Sequence, residues 1–351
     1  MSPVAVPSLH HRSPEELGIR RVRRGRGFSY HDDDDDTRVT DAETLERIRG
    51  IAVPPAWTDV RISNDRDSHL QAVGRDQRGR LQYKYHPDWT AFRDRVKFDH
   101  LPAFANVLPA VRKQIDTDLA LVGIPRDKVL ATVAELLQTT LIRVGNEEYA
   151  RDNGAYGLTT LRNRHARVSG AEIAFVFTGK SGIEHEVRAH DRRLAKVLRE
   201  CQEIPGQRLF QYLDDDGSPS PVHSQDVNDY LRHAAGTDIT AKDFRTWVAT
   251  VATASALGHL DPPTSEREER EAVKTVIDEV AADLGNTPTV CRASYVHPRV
   301  LEAFPTGALR DAWSMTPPRR ARLTLDERRT RALLGRRPRA QTAPRALRRT
   351  G

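Results

Sequence analysis

Five polar residues of this sequence stand at the ends of apolar elements, where a fold can aim them: Arg143, Lys180, Arg245, Asn286 and Tyr295. Arg143 follows a helical pattern in LIRVGNEEYA, Lys180 sits at a hairpin tip, and Arg245 opens the apolar stretch of KDFRTW. Asn286 follows a helix stop, and Tyr295 lies nine residues later in CRASYVHP. Each also has a plain structural use. An arginine at a helix end complements the helix dipole, a turn lysine is solvated, an Asn beside Gly ends a helix, and a tyrosine packs. What is missing narrows the chemistry. There is no GxxxxGK[ST] loop, no GxGxxG after a strand, no HExxH and no CxxC, so nucleotide hydrolysis, dinucleotide chemistry and zinc catalysis lose their usual supports. The acidic clusters lack the spacing of a two-metal nuclease. The expectation is chemistry without metal or cofactor.

The elements that must position these residues fall into two regions. From Gly27 to about Trp89 the pattern reads as short strands and turns. Residues 28–30 and 37–40 flank the acidic run 32–36, which reads as a solvated hairpin turn, since five adjacent carboxylates repel one another and offer no ligand spacing. Thr40 and Glu43 are spaced as a capping box for a helix through Leu45 and Ile48 that stops before Pro54. The arms of HLQAVGRDQRGRLQYKYHPDW meet at residues 75–79 as a hairpin. In its second arm Tyr83 and Tyr85 share one face and Gln82 and Lys84 the other. Past Trp89 the apolar period lengthens to 3.6. Val129, Val133, Leu136, Leu137 and Leu141 line one helix, and Val273, Val276, Ile277, Val280 and Leu284 line another that Gly285 ends. Between them AEIAFVFT and IEHEVRA form a hairpin about GKSG, with Ile173, Phe175 and Phe177 on one face.

The 351 residues suffice for two domains, and 38% apolar residues allow a sizeable core. The longest strictly apolar runs, 119–122 and 173–177, are far too short to span a bilayer. MSPVAVPSLHH lacks the apolar stretch of a signal peptide, and Cys201 and Cys291 cannot build a disulfide framework. The expectation is a soluble, cytoplasmic protein. Its net charge of +6 is uneven: residues 319–351 hold twelve arginines against Asp326 and Glu327, so residues 1–318 sum to −4. A second cluster, Arg20, Arg21, Arg23, Arg24 and Arg26, contains no acid. Basic ends on a folded body fit a polyanion, because each neutralised phosphate releases counterions; solvated ends are the plainer reading.

Four long motifs, RVGNEEYARDNGAYGLTTLRNRH, TGKSGIEHEV, KDFRTW and NTPTVCRASYVHP, follow one another in an order that resembles type IB DNA topoisomerases of the small poxvirus-like and bacterial branch. The resemblance covers about Gly18 to Pro298, and GRDQRGRLQYKYH looks like the stretch this family lays in the major groove. It implies that Tyr295 attacks a DNA phosphodiester, that Arg143 and Arg245 grip the non-bridging oxygens, and that Lys180 protonates the departing 5′ oxygen. Asn286 stands where the poxviral and eukaryotic enzymes have a histidine. An amide still donates a hydrogen bond but cannot become a cation. The residue types suit the task. Only ~0.1% of a free tyrosine is phenolate at pH 7, and cationic neighbours favour that form. Guanidiniums meet charge gathering on phosphoryl oxygens, and an alkoxide leaves poorly without an acid.

The resemblance therefore implies an α+β protein, a bilobed DNA clamp. Its expected parts are a flexible segment 1–18, a β-rich DNA-binding domain 19–95, an α-helical catalytic domain 96–316 of the topoisomerase IB and tyrosine recombinase type, and a basic, disordered tail 317–351. Gln82, Tyr83 and Tyr85 would reach base edges, with Arg75, Arg80 and Lys84 near phosphates; alternatively the tyrosine face packs into the small domain's core. Double-stranded DNA is the expected partner, the chain a nucleoid-associated monomer with no membrane association. A tyrosine recombinase uses a similar residue set, but His259 of ALGHL lies 36 residues before Tyr295 instead of about nine, and Lys242 stands where the HxxR box needs histidine. An architectural DNA-binding protein would explain the basic ends and leave the five-residue constellation unexplained.

Overall fold

The computed structural model describes residues 7–335 apart from 26, 78, 80 and 215, and only the backbone of 94–96 and 181. The chain divides into two compact units, one ending at Asp99 and the next beginning at His100.

The first unit is built on a five-stranded antiparallel sheet. Its strands are β1 (Ile19–Arg24), β2 (Gly27–Asp32), β3 (Thr58–Ile62), β4 (Leu70–Arg75) and β5 (Leu81–Tyr85), in the order β2-β1-β3-β4-β5. Helix α1 (Ala42–Ile51) lies between β2 and β3, and Ile48 joins Ile19, Val60, Ile62 and Ala72 in the core. The cap of α1 is Asp41, whose carboxylate accepts the Thr44 N–H at 2.8 Å, one residue after the expected Thr40. The expected strand at 37–40 reduces to a single bridge between His31 and Arg38. The acidic turn is held instead by Arg20 on Asp33 and Asp36 and by Arg61 on Asp33. Part of the N-terminal arginine cluster is thus spent inside the fold. Arg21 caps the Trp57 carbonyl at 2.6 Å and the Pro54 carbonyl at 3.2 Å, its guanidinium 4.1 Å over the Phe28 ring.

Two expectations about boundaries need correction here. Residues 7–18 do not hang loose: His10 bridges to Ser68, His11 stacks on His69 with centroids 4.2 Å apart, and Leu17 is fully buried. Helix α2 (Pro87–Val96) belongs to the first unit, and its Trp89 packs edge-on against His11 and His69. That places the division after residue 99 instead of 95.

The second unit is mainly helical. Helices α3 (Leu101–Leu119) and α4 (Arg126–Thr140) pack together, and α5 (Glu147–Asn153) lies in the loop that follows. A three-stranded antiparallel sheet of β6 (Ala166–Ser169), β7 (Glu172–Thr178) and β8 (Glu184–His190) comes next, then α6 (Arg192–Glu203) and the short pair β9 (Gln211–Leu213) and β10 (Pro219–Pro221). Ile173, Phe175 and Phe177 of β7 alternate with exposed or half-buried neighbours and point into the core. The chain then runs through α7 (Ser224–Ala235), α8 (Ala241–Gly258), α9 (Glu266–Asp283), α10 (Pro288–Ser294), α11 (Pro298–Ala303), α12 (Ala308–Ser314) and α13 (Leu325–Gly335). Helix α8 is the spine. Phe244 and Trp247 belong to a core with α3, α4, α6 and α7, while Ala249, Ala254 and Leu257 belong to a second with α9 to α12. A helix gripped by two cores has little freedom to slide.

The segment from 317, expected to be disordered, is folded where it is described, because residues 325–335 form α13, with Leu333 and Leu334 buried against the unit. Its anchor is polar. Glu327 takes a two-pronged ion pair from Arg112 at 2.8 and 2.9 Å and a hydrogen bond from the Trp247 indole at 3.1 Å. Arg320, Arg322, Arg328, Arg329 and Arg331 each bond to the unit's own carbonyls or acids. Those five of the twelve tail arginines are already partnered, and residues 336–351 of the expected tail lie outside the described residues.

Burial alone would raise the Glu327 pKa, but Arg112 and the hydrogen bonds from Thr324 and Trp247 hold it below 4.5. A carboxyl depressed on folding contributes its stability above its ordinary pKa and loses it as pH falls through the lowered value. Replacing Glu327 with alanine should therefore cost about 3 kcal/mol near neutral pH, by orphaning the Arg112 cation. The penalty, read from urea midpoints of wild type and variant, should shrink in acid.

Candidate active site

Arg143 does not cap α4. That helix ends at Thr140, Leu141 turns left-handed with φ 56°, and Arg143 lies on the extended stretch beyond. Its backbone is held by Leu158 N–H on the Arg143 carbonyl at 2.9 Å and by Thr159 N–H on the Val144 carbonyl at 2.8 Å. This needs glycine opposite: a Cβ on Gly157 would stand 2.6 Å from the Arg143 oxygen and from the Gly145 Cα. The glycines of RVGNEEYARDNGAYG thus let two backbones touch and aim the Arg143 side chain, which donates from Nη2 to Oδ1 of Asn286.

Asn286 is placed by the end of α9. Gly285 takes φ 57°, and the Asn286 N–H closes on the Ala281 carbonyl at 2.9 Å. Its Oδ1 is used by Arg143, while its Nδ2 is buried and has no hydrogen-bond partner among the described residues. Arg245 rises from the first turns of α8 and is only 3% exposed. Its Nη2 donates to the Leu284 carbonyl at 2.7 Å, and its Nε is likewise buried and unpartnered among the described residues. Burial, then repulsion from Arg143, brings the Arg245 pKa down to about 10, so it remains a cation at neutral pH.

Tyr295 caps the C-terminal end of α10, which Thr287 and Pro288 start. Its ring lies 5.3 Å from the Arg245 guanidinium carbon. Thr250 of α8, fully buried, donates its hydroxyl to the Tyr295 carbonyl at 3.1 Å and accepts the His297 N–H at 3.1 Å. One side chain thereby fixes the backbone on both sides of the phenol. Burial alone would raise the Tyr295 pKa, but Arg245, which also hydrogen-bonds to it, together with Arg143 and Lys242, brings it below its ordinary value.

The structure gathers four of the five candidate residues. Lys180 lies on the single turn of 3₁₀ helix Lys180–Gly182 between β7 and β8, its side chain exposed. Its neighbour Gly179 lines a cavity of about 20 Å³ with Arg143, Arg245, Leu284 and His185. His259 ends α8 and bonds back to the Ser255 carbonyl at 2.7 Å. Sequence reasoning did not single out Lys242 as a site residue, although it lies three residues before Arg245 on the same helix face. It also passed over Thr250, whose hydroxyl carried no sequence signal.

The other candidates lie on the β4–β5 hairpin of the first unit. Tyr83 and Tyr85 are 43% and 36% exposed, their rings stacked with centroids 6.1 Å apart, so this face does not pack into the core. Gln82 is half-buried and bonds to Asp76 at 3.1 Å, Lys84 is half-buried, and Arg75 is exposed beside the Gly79 carbonyl at 2.8 Å. Arg80 lies outside the described residues. Among the described residues no group of three His, Cys, Asp or Glu side chains could hold a metal ion, and no helix is long and apolar enough to cross a membrane.

Residues 86–308 match the family described as eukaryotic DNA topoisomerase I, catalytic core, and residues 27–76 match the bacterial DNA topoisomerase IB, N-terminal domain. DNA topoisomerase 1B of Acanthamoeba polyphaga mimivirus is 31% identical over 294 residues, which cover 82% of this chain and 87% of that protein. DNA topoisomerase 1B of Vaccinia virus (strain Copenhagen) is 24% identical over 75% of this chain and 82% of its own length. DNA topoisomerase 1 of Rabbit fibroma virus (strain Kasza) is 25% identical over 74% and 81%. These matches define an isomerase of the topoisomerase I class. The chain belongs to the type IB DNA topoisomerase family.

In protein carrying ¹³C at the tyrosine ring carbon bonded to oxygen, the resonance lost in Tyr295→Phe should titrate below the ordinary tyrosine pKa of about 10. Because Arg245 stabilises the phenolate, Arg245→Ala should move that titration upward.

Proposed function

We propose that this chain relaxes positive and negative supercoils by transient cleavage of one strand of duplex DNA, with Tyr295 as nucleophile and neither ATP nor a metal ion required. The observation that carries the reading is the pair of donors Arg245 Nε and Asn286 Nδ2, buried and unpartnered among the described residues, with the Arg245 guanidinium 5.3 Å from a phenol of lowered pKa. Buried donors left unsatisfied are costly, and a bound phosphodiester would supply the acceptors.

The Tyr295 oxygen attacks phosphorus while the bond from phosphorus to the 5′ oxygen breaks. The phenol proton leaves to solvent, and Lys180, brought up from its exposed turn, gives a proton to the departing oxygen. Arg143, Arg245 and Asn286 meet the charge on the non-bridging oxygens as fixed donors that need not reorganise. The product is a 3′-phosphotyrosyl link and a free 5′ hydroxyl. That end swivels about the intact strand, driven by torsion of either sign. The hydroxyl then attacks the phosphotyrosine, giving its proton back to the neutral Lys180 amine, and the tyrosinate that leaves takes a proton from solvent, so the phosphodiester is restored with no energy input. The two units would form a clamp on the duplex, with Tyr83, Tyr85 and Gln82 toward base edges and Arg75, Arg80 and Lys84 toward phosphates. One chain carries the whole residue set, which favours a monomer working on cytoplasmic, nucleoid DNA.

The test is relaxation of supercoiled plasmid in EDTA without ATP. Wild type should relax it and Tyr295→Phe should bind it without changing its linking number. Relaxation by Tyr295→Phe, or none by wild type, overturns the reading. The six arginines in 336–351 should add phosphate contacts. Their deletion should flatten the slope of log affinity against log salt by up to about 5, with cleavage retained.

A further inference from the structure

The turn that carries Lys180 is spaced from the Asn286 loop by one side chain. His185 of β8 stacks on Phe177 of β7 with ring centroids 5.1 Å apart and planes 14° from parallel. The ring lies against two glycines. A Cβ added to Gly179 would stand 2.5 Å from its Cδ2 and Nε2, and a Cβ added to Gly285 would stand 2.3 Å from its Cε1. Gly179 immediately precedes Lys180 and Gly285 immediately precedes Asn286. The imidazole therefore fills the wedge between the residue before the lysine and the residue before the asparagine. Arg143 and Arg245 line the same small cavity.

We propose that His185 is a positioning residue for the general acid: its ring sets the distance of the Lys180 turn from the Arg143, Arg245 and Asn286 group. The inference rests on the reading of Lys180 as the acid. The ring acts by its shape, as a neutral spacer. Burial, then the cations Arg143 and Arg245, lower its pKa, so it does not add a third positive charge beside them. Lys180 itself is exposed on a one-turn element, and a proton donor must come within hydrogen-bond reach of the leaving oxygen. A misplacement of about 1 Å costs on the order of 10²-fold.

Changing the leaving group isolates this role. Sulfur in place of the bridging 5′ oxygen departs as a thiolate, whose conjugate acid has a pKa of about 8.5, and needs no proton donor. Full-length protein is assayed for single-turnover cleavage of duplexes carrying oxygen or sulfur at a mapped cleavage site, with DNA binding measured alongside. On the oxygen substrate His185→Ala should slow cleavage by about 30- to 100-fold with binding unchanged. On the sulfur substrate it should recover to within about threefold of wild type, as should Lys180→Ala. Arg245→Ala, which acts on the non-bridging oxygens, should stay slow on both. Gly179→Ala should behave like His185→Ala. Its φ of −97° suits alanine, so it carries the test if His185→Ala loses DNA binding through misfolding. Recovery of Lys180→Ala without recovery of His185→Ala or Gly179→Ala overturns the positioning role and leaves the acid in place. If Lys180→Ala stays slow on sulfur, the assignment of the acid falls, and this inference with it.

Discussion

The structure depends on holding two guanidiniums together, one of them almost fully buried, with no carboxylate to neutralise them. Among the described residues neither Arg143 nor Arg245 has an acidic partner. Arg143 rests on an amide oxygen and Arg245 on a backbone carbonyl. Burying a cation against dipoles alone is unfavourable, and the lowered pKa of Arg245 is the visible sign of that cost. Uncompensated positive charge in a partly closed space is what a developing phosphorane needs. The same field makes the Tyr295 phenol more acidic, so in the proposed reaction one unfavourable arrangement would serve both the nucleophile and the group it attacks.

Such an arrangement survives only if the surrounding elements cannot relax to relieve it. Helix α8 meets this requirement by belonging to two cores. Within about four turns it presents Phe244 and Trp247 to one, Arg245 to the site, Thr250 to the Tyr295 backbone, and Ala254 and Leu257 to the other. Helix α13 closes over the back of α8 through Glu327, so a segment past residue 308, where the family match ends, supports the helix that carries the arginine. Arg143 is held in a different way, by backbone against backbone at Gly145 and Gly157. Two arginines about a hundred residues apart in the chain are thus fixed by packing and by close approach.

Positive charge counted from composition overstates what is free to meet a polyanion. Arg21 caps carbonyls, Arg20 answers the acidic turn, and five arginines between 320 and 331 bond within the unit. Arg23 and Arg24 stay exposed on β1, and the stacked pair Tyr83 and Tyr85 faces outward. Charge runs in a sequence carry no record of partners that folding brings to them.

Much of the fold was legible because its signals are local. Alternation at Ile173, Phe175 and Phe177, the 3.6 period of α4 and α9, and Gly285 as a helix stop each rest on a few consecutive residues. The five candidate residues were legible as polar groups at element ends, and their order in long motifs pointed to the family. Other features depend on residues far apart in the chain. The Arg143 to Asn286 bond spans 143 positions and the Arg112 to Glu327 pair spans 215. The roles of Thr250 and His185 exist only once the Tyr295 backbone, Gly179 and Gly285 have been brought to them. By itself the sequence determined which elements form and which polar groups stand at their ends. Only the tertiary structure decided which of those groups meet, because contact across a core is set by packing that no local pattern encodes.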